Sequence, residues 1–240
     1  MHVNGMTIRR FATAASAARA LALHLSRCLH QQPQLTLGLP TGRTPIPLYR
    51  ELAVLHARNA VDFAGVSTFN LDEFVGVAGS APESYRAFME RHLFSQVNID
   101  PRRVHFLNGA ASDAADECRR YERQIARAGG LDLLILGLGT NGHIGFNEPG
   151  AWETSPTRMV RLDHLTRHDA TKDFQGEDDV PYRAITMGVG SIFKARTVYL
   201  MAWGQHKAHI VQQAIEGDIS TSVPASFLQK HPNVKVILDK

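Results

Sequence analysis

An apolar run that breaks first into glycines and then into polar residues occupies positions 131–149, LDLLILGLGTNGHIGFNEP. The apolar part is typical of a strand buried on both faces, as in a parallel sheet covered by helices. The glycines that follow, from Gly137 onward, allow a sharp turn and a close approach of the backbone to a ligand. Because such sheets bind ligands beyond the carboxyl ends of their strands, Asn141, His143 and Glu148 are expected at the mouth of a site. Considered alone, His143 is equally well explained as an ordinary loop histidine.

Strand patterns alternate with helical patterns along the chain. The predicted strands lie at 7–11, 34–39, 66–71, 104–107, 131–138, 184–187, 197–203 and 234–238. This alternation predicts an α/β fold with a three-layer, Rossmann-like, doubly wound and mostly parallel sheet. A chain of 240 residues without a linker-like stretch predicts one domain, 1–240. Within that domain the polar segment 152–181 is predicted to be a lid.

Composition argues against several classes of function. The net charge is +3 and the 26 Lys and Arg residues are scattered, so no nucleic-acid partner is indicated. No apolar run approaches the ~20 residues of a membrane helix, so no membrane partner is expected. The pair Arg9-Arg10 superficially resembles an export signal, but Arg19 interrupts the alanine-rich stretch that follows, and a cytoplasmic protein is the expectation. Cys28 and Cys118 form no metal or disulfide pattern and are expected to be buried and reduced.

A loop rich in hydroxyl groups, Pro40-Thr41-Gly42-Arg43-Thr44, lies between a predicted strand and a predicted helix. Its N–H groups and hydroxyls would adjoin the positive end of the helix dipole, which makes a natural anion site, and phosphate is the expected anion. Ordinary N-terminal capping by Thr41 or Thr44 explains the same residues. Nucleotide binding is not favoured, because the GxxxxGK[ST] pattern and the GxGxxG spacing are both absent.

Two further places carry groups that can transfer protons. Asp72 and Glu73 follow the predicted strand 66–71, where desolvation of Asp72 would raise its pKa towards the range of a general base. Capping of a helix or turn is the alternative explanation of this acidic pair. His143 and Glu148 place an imidazole and a carboxylate in one loop. Together with the anion site they indicate proton-transfer chemistry on a phosphorylated small molecule.

Five segments carry a combined pattern that is highly specific: GLPTGRTP at 38–45, FNLDEFVG at 69–76, SYRAFMERHLF at 84–94, LGLGTNGHIGFNEPG at 136–150 and ITMGVGSI at 185–192. On these segments the chain resembles the glucosamine-6-phosphate deaminases, also called glucosamine-6-phosphate isomerases, over nearly its whole length. The resemblance implies conversion of glucosamine 6-phosphate and water to fructose 6-phosphate and ammonia, a hydrolase reaction of amino-sugar metabolism. It also implies an amino-sugar phosphate as the small-molecule partner, without a metal or an organic cofactor.

The resemblance implies a role for each matching position. Asp72 would be the base that moves a proton between C2 and C1 of the opened sugar. His143 and Glu148 would open the pyranose ring, with Asn141 as a further catalytic residue beside them. The residues implied to bind the substrate, and above all its phosphate, are Thr41, Gly42, Arg43, Thr44, Lys172, Lys207 and Gly137.

Three positions depart from the common pattern of the family. Many relatives have glycine where Arg43 stands, aspartate where Asn141 stands and a lid arginine where Lys172 stands. Arg43 still offers its N–H if its φ is negative, whereas Lys172 cannot make the planar two-point phosphate contact of arginine. Asn141 is expected to orient the ring of His143 by a hydrogen bond without adding charge, so that the pKa of this histidine is lower than beside a carboxylate.

Three alternatives and one structural question stay open. A galactosamine-6-phosphate deaminase would use the same motifs. A 6-phosphogluconolactonase would share the fold and the phosphate loop, but its Gly-His is followed by a pattern like GHxASLFP and not by GHIGFNEP. A non-catalytic sugar-phosphate sensor is disfavoured because Asp72, His143 and Glu148 are all present. The resemblance to shorter family members implies a monomer or small homo-oligomer without activation by an amino sugar.

Overall fold

The computed structural model describes residues 2–174 and 176–240. Within them the strands are β1 His2–Val3, β2 Met6–Arg10, β3 Thr36–Leu39, β4 Ser67–Asn70, β5 Asp72–Phe74, β6 Val104–His105, β7 Leu133–Gly137, β8 Arg158–Arg161, β9 Arg183–Thr186, β10 Thr197–Ala202 and β11 Val234–Leu238. The helices are α1 Ala14–Gln31, α2 Ile46–Ala57, α3 Tyr85–His92, α4 Ala114–Arg127, α5 His164–Ala170, α6 Val189–Ile192 and α7 Ala208–Glu216. Short 3₁₀ turns lie at Phe94–Gln96, Pro101–Arg103, Thr171–Asp173, Glu177–Asp179, Gln205–Lys207 and Pro224–Lys230.

The main sheet has the strand order β1-β2-β11-β10-β7-β3-β4-β6. Its neighbouring strands run parallel except in the hairpin of β1 and β2. The connections change direction at the centre, because β3 leads to β4 on one side and β7 leads to β10 on the other. The carboxyl ends of β3 and β7 therefore flank the switch point at which doubly wound sheets bind ligands. The predicted fold class is confirmed.

Alternate residues of β7 pack on opposite faces of the main sheet. Leu134 and Leu136 belong to one core cluster, which α4 and α7 cover. Leu133 and Ile135 belong to another, which α1, α2 and α3 cover. A strand that is buried on both faces is what the continuous apolar run of this segment predicts.

A second sheet of three antiparallel strands, β5-β9-β8, departs from the sequence-based prediction. The strand predicted at 184–187 pairs in this sheet and not in the main one. Only Leu71 separates β4 from β5, which begins at Asp72. The sequence of β5, Asp-Glu-Phe, has no apolar pattern, so only its pairing with β9 defines it as a strand. A third core cluster around Phe74 and Phe146 joins this small sheet to the loop after β7.

The segment 152–181 contains more regular structure than its polar sequence predicts, namely β8, α5 and two 3₁₀ turns. A buried arginine, Arg167, folds it back on itself. The guanidinium donates hydrogen bonds to the carbonyl of Val180 at 3.2 Å and to that of Glu177 at 2.7 Å. It also lies 3.8 Å from the ring centre of Tyr182. The described part of this segment therefore has regular structure, and it supplies β8 to the small sheet.

Smaller differences concern one helix and one cysteine. The amphipathic pattern of the sequence predicts a helix over 83–94. The helix begins at Tyr85, because Ser84 caps it by accepting a hydrogen bond from the N–H of Ala87 at 3.0 Å. Cys118 is buried as predicted, but Cys28 is only half-buried, so that part of the prediction is wrong.

Within residues 2–174 and 176–240, each helix is too short or too polar to span a membrane.

Candidate active site

A cavity of about 530 Å³ opens at the switch point between β3 and β7. Asn141 and Glu148 stand behind its wall and are not among the lining residues. The other residues proposed from the sequence line the cavity: Thr41, Gly42, Arg43, Thr44, Asp72, Gly137, His143, Lys172 and Lys207.

The loop between β3 and α2 presents its backbone to one end of the cavity. Gly42 has a φ of +88°, and Arg43 is not among the residues with positive φ, so its N–H is available as expected. Helix α2 is capped by Pro45 without any side-chain hydrogen bond, so the interpretation of Thr41 or Thr44 as an ordinary cap is wrong. The loop Thr41–Thr44 therefore brings its backbone and hydroxyls to the cavity at the positive end of this helix, which favours an anion there.

Two lysines, Lys207 and Lys172, line the cavity. Lys207 follows β10 and donates from Nζ to the carbonyl of Leu138 at 2.9 Å. Burial lowers the pKa of Lys207, and Asp169 partly opposes that effect. Lys172 reaches the cavity from the 3₁₀ turn after α5. Two lysines that line one cavity supply positive charge of the kind that a phosphate dianion needs.

Asp72 presents a buried carboxyl to the cavity, since the residue is only 6% exposed. The loop after β7 passes close to it: a Cβ at Gly145, whose φ is +57°, would lie 3.4 Å from Oδ2 of Asp72. Burial, and after it the charge of neighbouring Glu73, raises the pKa of Asp72 to about 8. A carboxyl with a pKa near neutrality can both take and return a proton, as a general acid–base catalyst must.

Glu73 points away from the cavity and supports the start of α3. Its carboxylate accepts hydrogen bonds from the N–H groups of Phe74 at 3.0 Å, Tyr85 at 3.1 Å and Arg86 at 3.3 Å. Burial raises the pKa of Glu73 to about 7 although these N–H groups favour the charged form. Capping therefore explains Glu73, whereas it does not explain Asp72.

The raised pKa values make the protein less stable as the pH rises. Asp72 and Glu73 hold protons in the folded state that the unfolded chain releases near pH 4, so their contribution to stability is lost as the pH passes about 7 to 8. We expect the decrease in the free energy of unfolding between pH 5 and pH 8 to be shallower in Asp72→Asn by up to about 1.4 kcal/mol per pH unit, the effect of one proton. Urea denaturation at several pH values measures it, with exposed Asp218→Asn as the control. Equal slopes in both variants would contradict a buried, protonated Asp72.

His143 forms part of the cavity wall, and its ring lies directly over Gly139, where a Cβ would be 2.3 Å from Cε1. Its Nδ1 is 3.5 Å from Oε2 of Glu148. Glu148 also accepts hydrogen bonds from Nδ2 of Asn141 at 2.8 Å and from Oγ1 of Thr166 at 2.5 Å. Burial raises the pKa of Glu148, but these three neighbours outweigh burial and hold that pKa below its usual value. Glu148 is therefore an anion behind the imidazole.

Asn141 contacts Glu148 and not the ring of His143, so the predicted hydrogen bond to that ring is wrong. The side-chain Oδ1 of Asn141 accepts from the backbone N–H of His143 at 3.2 Å. This is the local bond that an asparagine readily makes to the N–H two residues further on. It leaves Nδ2 free for Glu148, so Asn141 holds the backbone of His143 directly and can influence its ring through that carboxylate.

Several lining residues were not identified from the sequence. Tyr85 at the start of α3 hydrogen-bonds the side chain of Thr41 and stands near Asp72, where burial raises its pKa well above the usual range. The sequence pattern indicates only that Tyr85 lies on a helix. Thr166 belongs to the segment 152–181, in which no element was predicted. Trp203 and His206 follow β10, and their place after a central strand was the available signal.

The arrangement can bind an anion at one end and move protons at the other. Among the described residues, no group of three or more His, Cys, Asp and Glu side chains is placed to hold a metal ion. Oγ1 of Thr44 lies near Gly137, and the indole of Trp203 fixes the same loop by donating to the carbonyl of Thr44 at 2.7 Å. The loop that forms the anion site is thus anchored to the ends of β7 and β10.

Comparison with known proteins agrees with this geometry. The sequence model of the family described as glucosamine-6-phosphate isomerases/6-phosphogluconolactonase matches residues 9–237. The glucosamine-6-phosphate deaminase of Thermoanaerobacter pseudethanolicus is 44% identical over 212 residues, which are 88% of this chain and 84% of the relative. Glucosamine-6-phosphate deaminase 1 of Giardia intestinalis is 45% identical over 227 residues, which are 94% of this chain and 85% of the relative.

Solved structures share the fold. A monomeric glucosamine-6-phosphate deaminase matches with a TM-score of 0.95 and 37% identity over 98% of each chain. A 6-phosphogluconolactonase of Thermotoga maritima matches 98% of this chain and 100% of its own with a TM-score of 0.76 and 20% identity, which shows a common fold. The resemblance identified from the sequence motifs is confirmed. The chain therefore belongs to the family of glucosamine-6-phosphate isomerases and 6-phosphogluconolactonases, on the side of the glucosamine-6-phosphate deaminases.

Proposed function

We propose that this protein is a glucosamine-6-phosphate deaminase, which converts glucosamine 6-phosphate and water to fructose 6-phosphate and ammonia. The observation that carries the proposal is one cavity in which Asp72 and His143 face an anion site formed by Thr41–Thr44 and Lys207. Relatives at 42% to 46% identity carry the name of this activity. Because one water molecule is consumed, the overall reaction is a hydrolysis.

His143 opens the pyranose ring in the proposed reaction. Opening transfers the proton of the C1 hydroxyl to the ring oxygen, and an imidazole can take part in both transfers because it can accept a proton and donate one. With Nδ1 directed at Glu148, the other ring nitrogen is left to face the sugar. Glu148 stabilises the imidazolium that forms when the ring takes up a proton.

Asp72 then moves a proton between two carbons. It takes the proton from C2 of the open aldehyde and returns it to C1, while a proton of the C2 ammonium group ends on the oxygen of C1. The product carries an iminium group at C2, where water adds and ammonia leaves to give fructose 6-phosphate. A base with a pKa of about 8 is stronger than an ordinary carboxylate, which suits abstraction from carbon.

Removal of Lys207 should weaken substrate binding more than catalysis. The phosphate is bound alike in the ground state and the transition state, so Lys207→Ala is expected to raise KM by about 10–100-fold, the loss typical of a charged hydrogen bond, with a smaller change in kcat. Lys194→Ala, which removes an exposed lysine outside the cavity, serves as the matched control. Steady-state kinetics with glucosamine 6-phosphate measure both constants. A change confined to kcat would give Lys207 another role.

The segment 152–181 is proposed to act as a lid on a single-domain enzyme. This role is supported by the residues of the segment that line one side of the cavity, namely Thr166, Asp169, Ala170, Lys172 and Asp173. We expect trypsin to cleave after Lys172 more slowly when a non-reacting sugar phosphate is bound, because closure over the ligand protects the turn. Equal cleavage rates with and without that ligand would contradict a lid.

Ammonia release tests the activity directly. We expect the purified protein to release ammonia from glucosamine 6-phosphate, and galactosamine 6-phosphate measured in parallel decides which epimer is preferred. Hydrolysis of 6-phosphogluconolactone is the third assay, since lactonases share this fold. Lactone hydrolysis without ammonia release from either hexosamine phosphate would replace the proposal by the lactonase.

Of the two assembly states expected, the monomer is proposed, because the solved relative with a TM-score of 0.95 is described as monomeric. A cytoplasmic location is proposed with it, since a charged sugar phosphate does not cross a bilayer unaided. Light scattering of the purified protein measures the assembly state.

A further inference from the structure

A single hydroxyl joins helix α5 to the carboxylate behind the histidine. Oγ1 of Thr166 donates to Oε1 of Glu148 at 2.5 Å. The other oxygen, Oε2, accepts from Asn141 at 2.8 Å and faces Nδ1 of His143 at 3.5 Å. Thr166 is 8% exposed and also lines the cavity. The carboxylate is thus held from two sides, by its own loop and by α5.

The histidine itself is held only loosely. Its Nδ1 is buried and, in residues 2–174 and 176–240, has no partner within hydrogen-bond geometry. The 3.5 Å to Glu148 exceeds the 2.7–3.2 Å of an ordinary N–H···O bond, so a small rotation of the carboxylate makes or breaks that bond. The two donors that fix the carboxylate therefore decide how well His143 is oriented and how strongly its protonated form is stabilised.

We infer that Thr166 is a positioning residue that couples the placement of α5 to the orientation of Glu148, and through it to proton transfer by His143. The inference rests on the proposed deaminase function. Helix α5 and the turn after it also bring Lys172, which the resemblance implies binds the phosphate, to the cavity. Phosphate bound at Lys172 fixes α5, α5 fixes Thr166, and Thr166 fixes the carboxylate. The imidazole of His143 is thereby oriented for opening of the pyranose ring once the phosphate is bound.

Local chemistry favours this role over simple packing. The bond from Thr166 ends on an ionised carboxylate, because Glu148 has a pKa below the usual value, and bonds to ionised groups are the strong ones. A second threonine of the same segment, Thr171, instead donates to the carbonyl of His168 at 2.7 Å, within its own turn. Thr171 is not among the cavity residues and gives a matched control.

The test compares Thr166→Val, which keeps the shape and removes the hydroxyl, with Thr166→Ser, which keeps the hydroxyl, and with Thr171→Val. We expect kcat for ammonia release to fall by about 10–100-fold in Thr166→Val, with a smaller change in KM, since a hydrogen bond to a charged group is lost. Thr166→Ser should retain most of the activity, and Thr171→Val should match the wild type.

A second measurement is independent of turnover. Carboxyl ¹³C NMR of glutamate-labelled protein follows the titration of Glu148, whose signal is identified by its loss in Glu148→Gln. Removal of the donating hydroxyl should raise the pKa of Glu148 in Thr166→Val and leave it unchanged in Thr171→Val.

The outcomes separate the inference from the function on which it rests. A wild-type protein that releases no ammonia would refute the proposed function, while the NMR titration still reports on the bond. An active wild type with normal kcat and an unchanged Glu148 titration in Thr166→Val would overturn the coupling. Equal loss of kcat in Thr166→Val and Thr166→Ser would also overturn it, because the hydroxyl would then not matter.

Discussion

Replacement of Asp72 by asparagine is expected to lower kcat by about 10²–10⁴-fold, the loss typical of a missing general base. Asparagine is nearly isosteric and neutral, like the protonated carboxyl that the buried site favours, so the fold should be retained. The phosphate loop is separate from the carboxyl, so binding of a non-reacting sugar phosphate should persist. Steady-state kinetics and a binding titration measure the two quantities separately.

Variants of the other carboxylates in the cavity test whether the loss of kcat is specific to Asp72. Asp169 and Asp173 line it from the α5 side and are the rival bases. Asparagine at either position is expected to change kcat far less than at Asp72, because neither is enclosed as Asp72 is. Exposed Asp218→Asn should behave as the wild type. Near-normal turnover in Asp72→Asn, or a larger loss in Asp169→Asn, would assign the base elsewhere.

Replacement of Gly139 by alanine is expected to reduce kcat by about 10²-fold, the effect of misplacing a catalytic group by roughly 1 Å. The added Cβ would lie 2.3–2.4 Å from three atoms of the His143 ring, so the ring must move. Gly139 is not among the residues with positive φ, so alanine introduces no backbone strain there. The structural change should therefore be confined to the position of the His143 ring, and KM should change little.

A matched exchange tests whether the ring is responsible. Gly79→Ala also lies at a glycine without positive φ, and its Cβ would meet only the flexible side chain of Arg86, at 3.2 Å. It should leave kcat unchanged. Thermal unfolding of both variants checks that folding is preserved. Wild-type kcat in Gly139→Ala would show that the position of the His143 ring is not critical for the reaction.

The positions of the longer strands in the main sheet followed from the sequence because most of them carry an apolar run, whereas the order of the strands was found only in the structure. The same logic placed the chemical groups, since polar residues after β3, β4 and β7 meet at one edge of a parallel sheet. Thr44, Asp72 and His143 indeed line one cavity. The buried strands could therefore be predicted from the periodicity of apolar residues, and the site residues from their position directly after a strand.

The small sheet and the contacts behind the site could not be predicted in this way. Strand β5 is too short and acidic to show a period, and Arg158–Arg161 alternates over four residues only. Both are strands because they pair with β9, which is a tertiary effect. The side chain of Asn141 can bond either the backbone N–H or the ring of His143, and the sequence does not distinguish these two partners. Thr166 had no signal because the fold brings it to Glu148 from 18 residues away.

The pairing of β8 with β9 determines where the proposed lid can bend. This ladder continues past the strand, since the N–H of Leu162 donates to the carbonyl of Tyr182 at 2.9 Å. A backbone held in the sheet that also contains Asp72 cannot swing without breaking that sheet, so the proposed lid would hinge after Leu162 and the first part of 152–181 would stay still. The moving part would then carry Thr166 and Lys172, while Asp72 would remain on the stationary side. A substitution at the hinge can therefore change how often the enzyme is assembled for reaction without altering the intrinsic strength of its base.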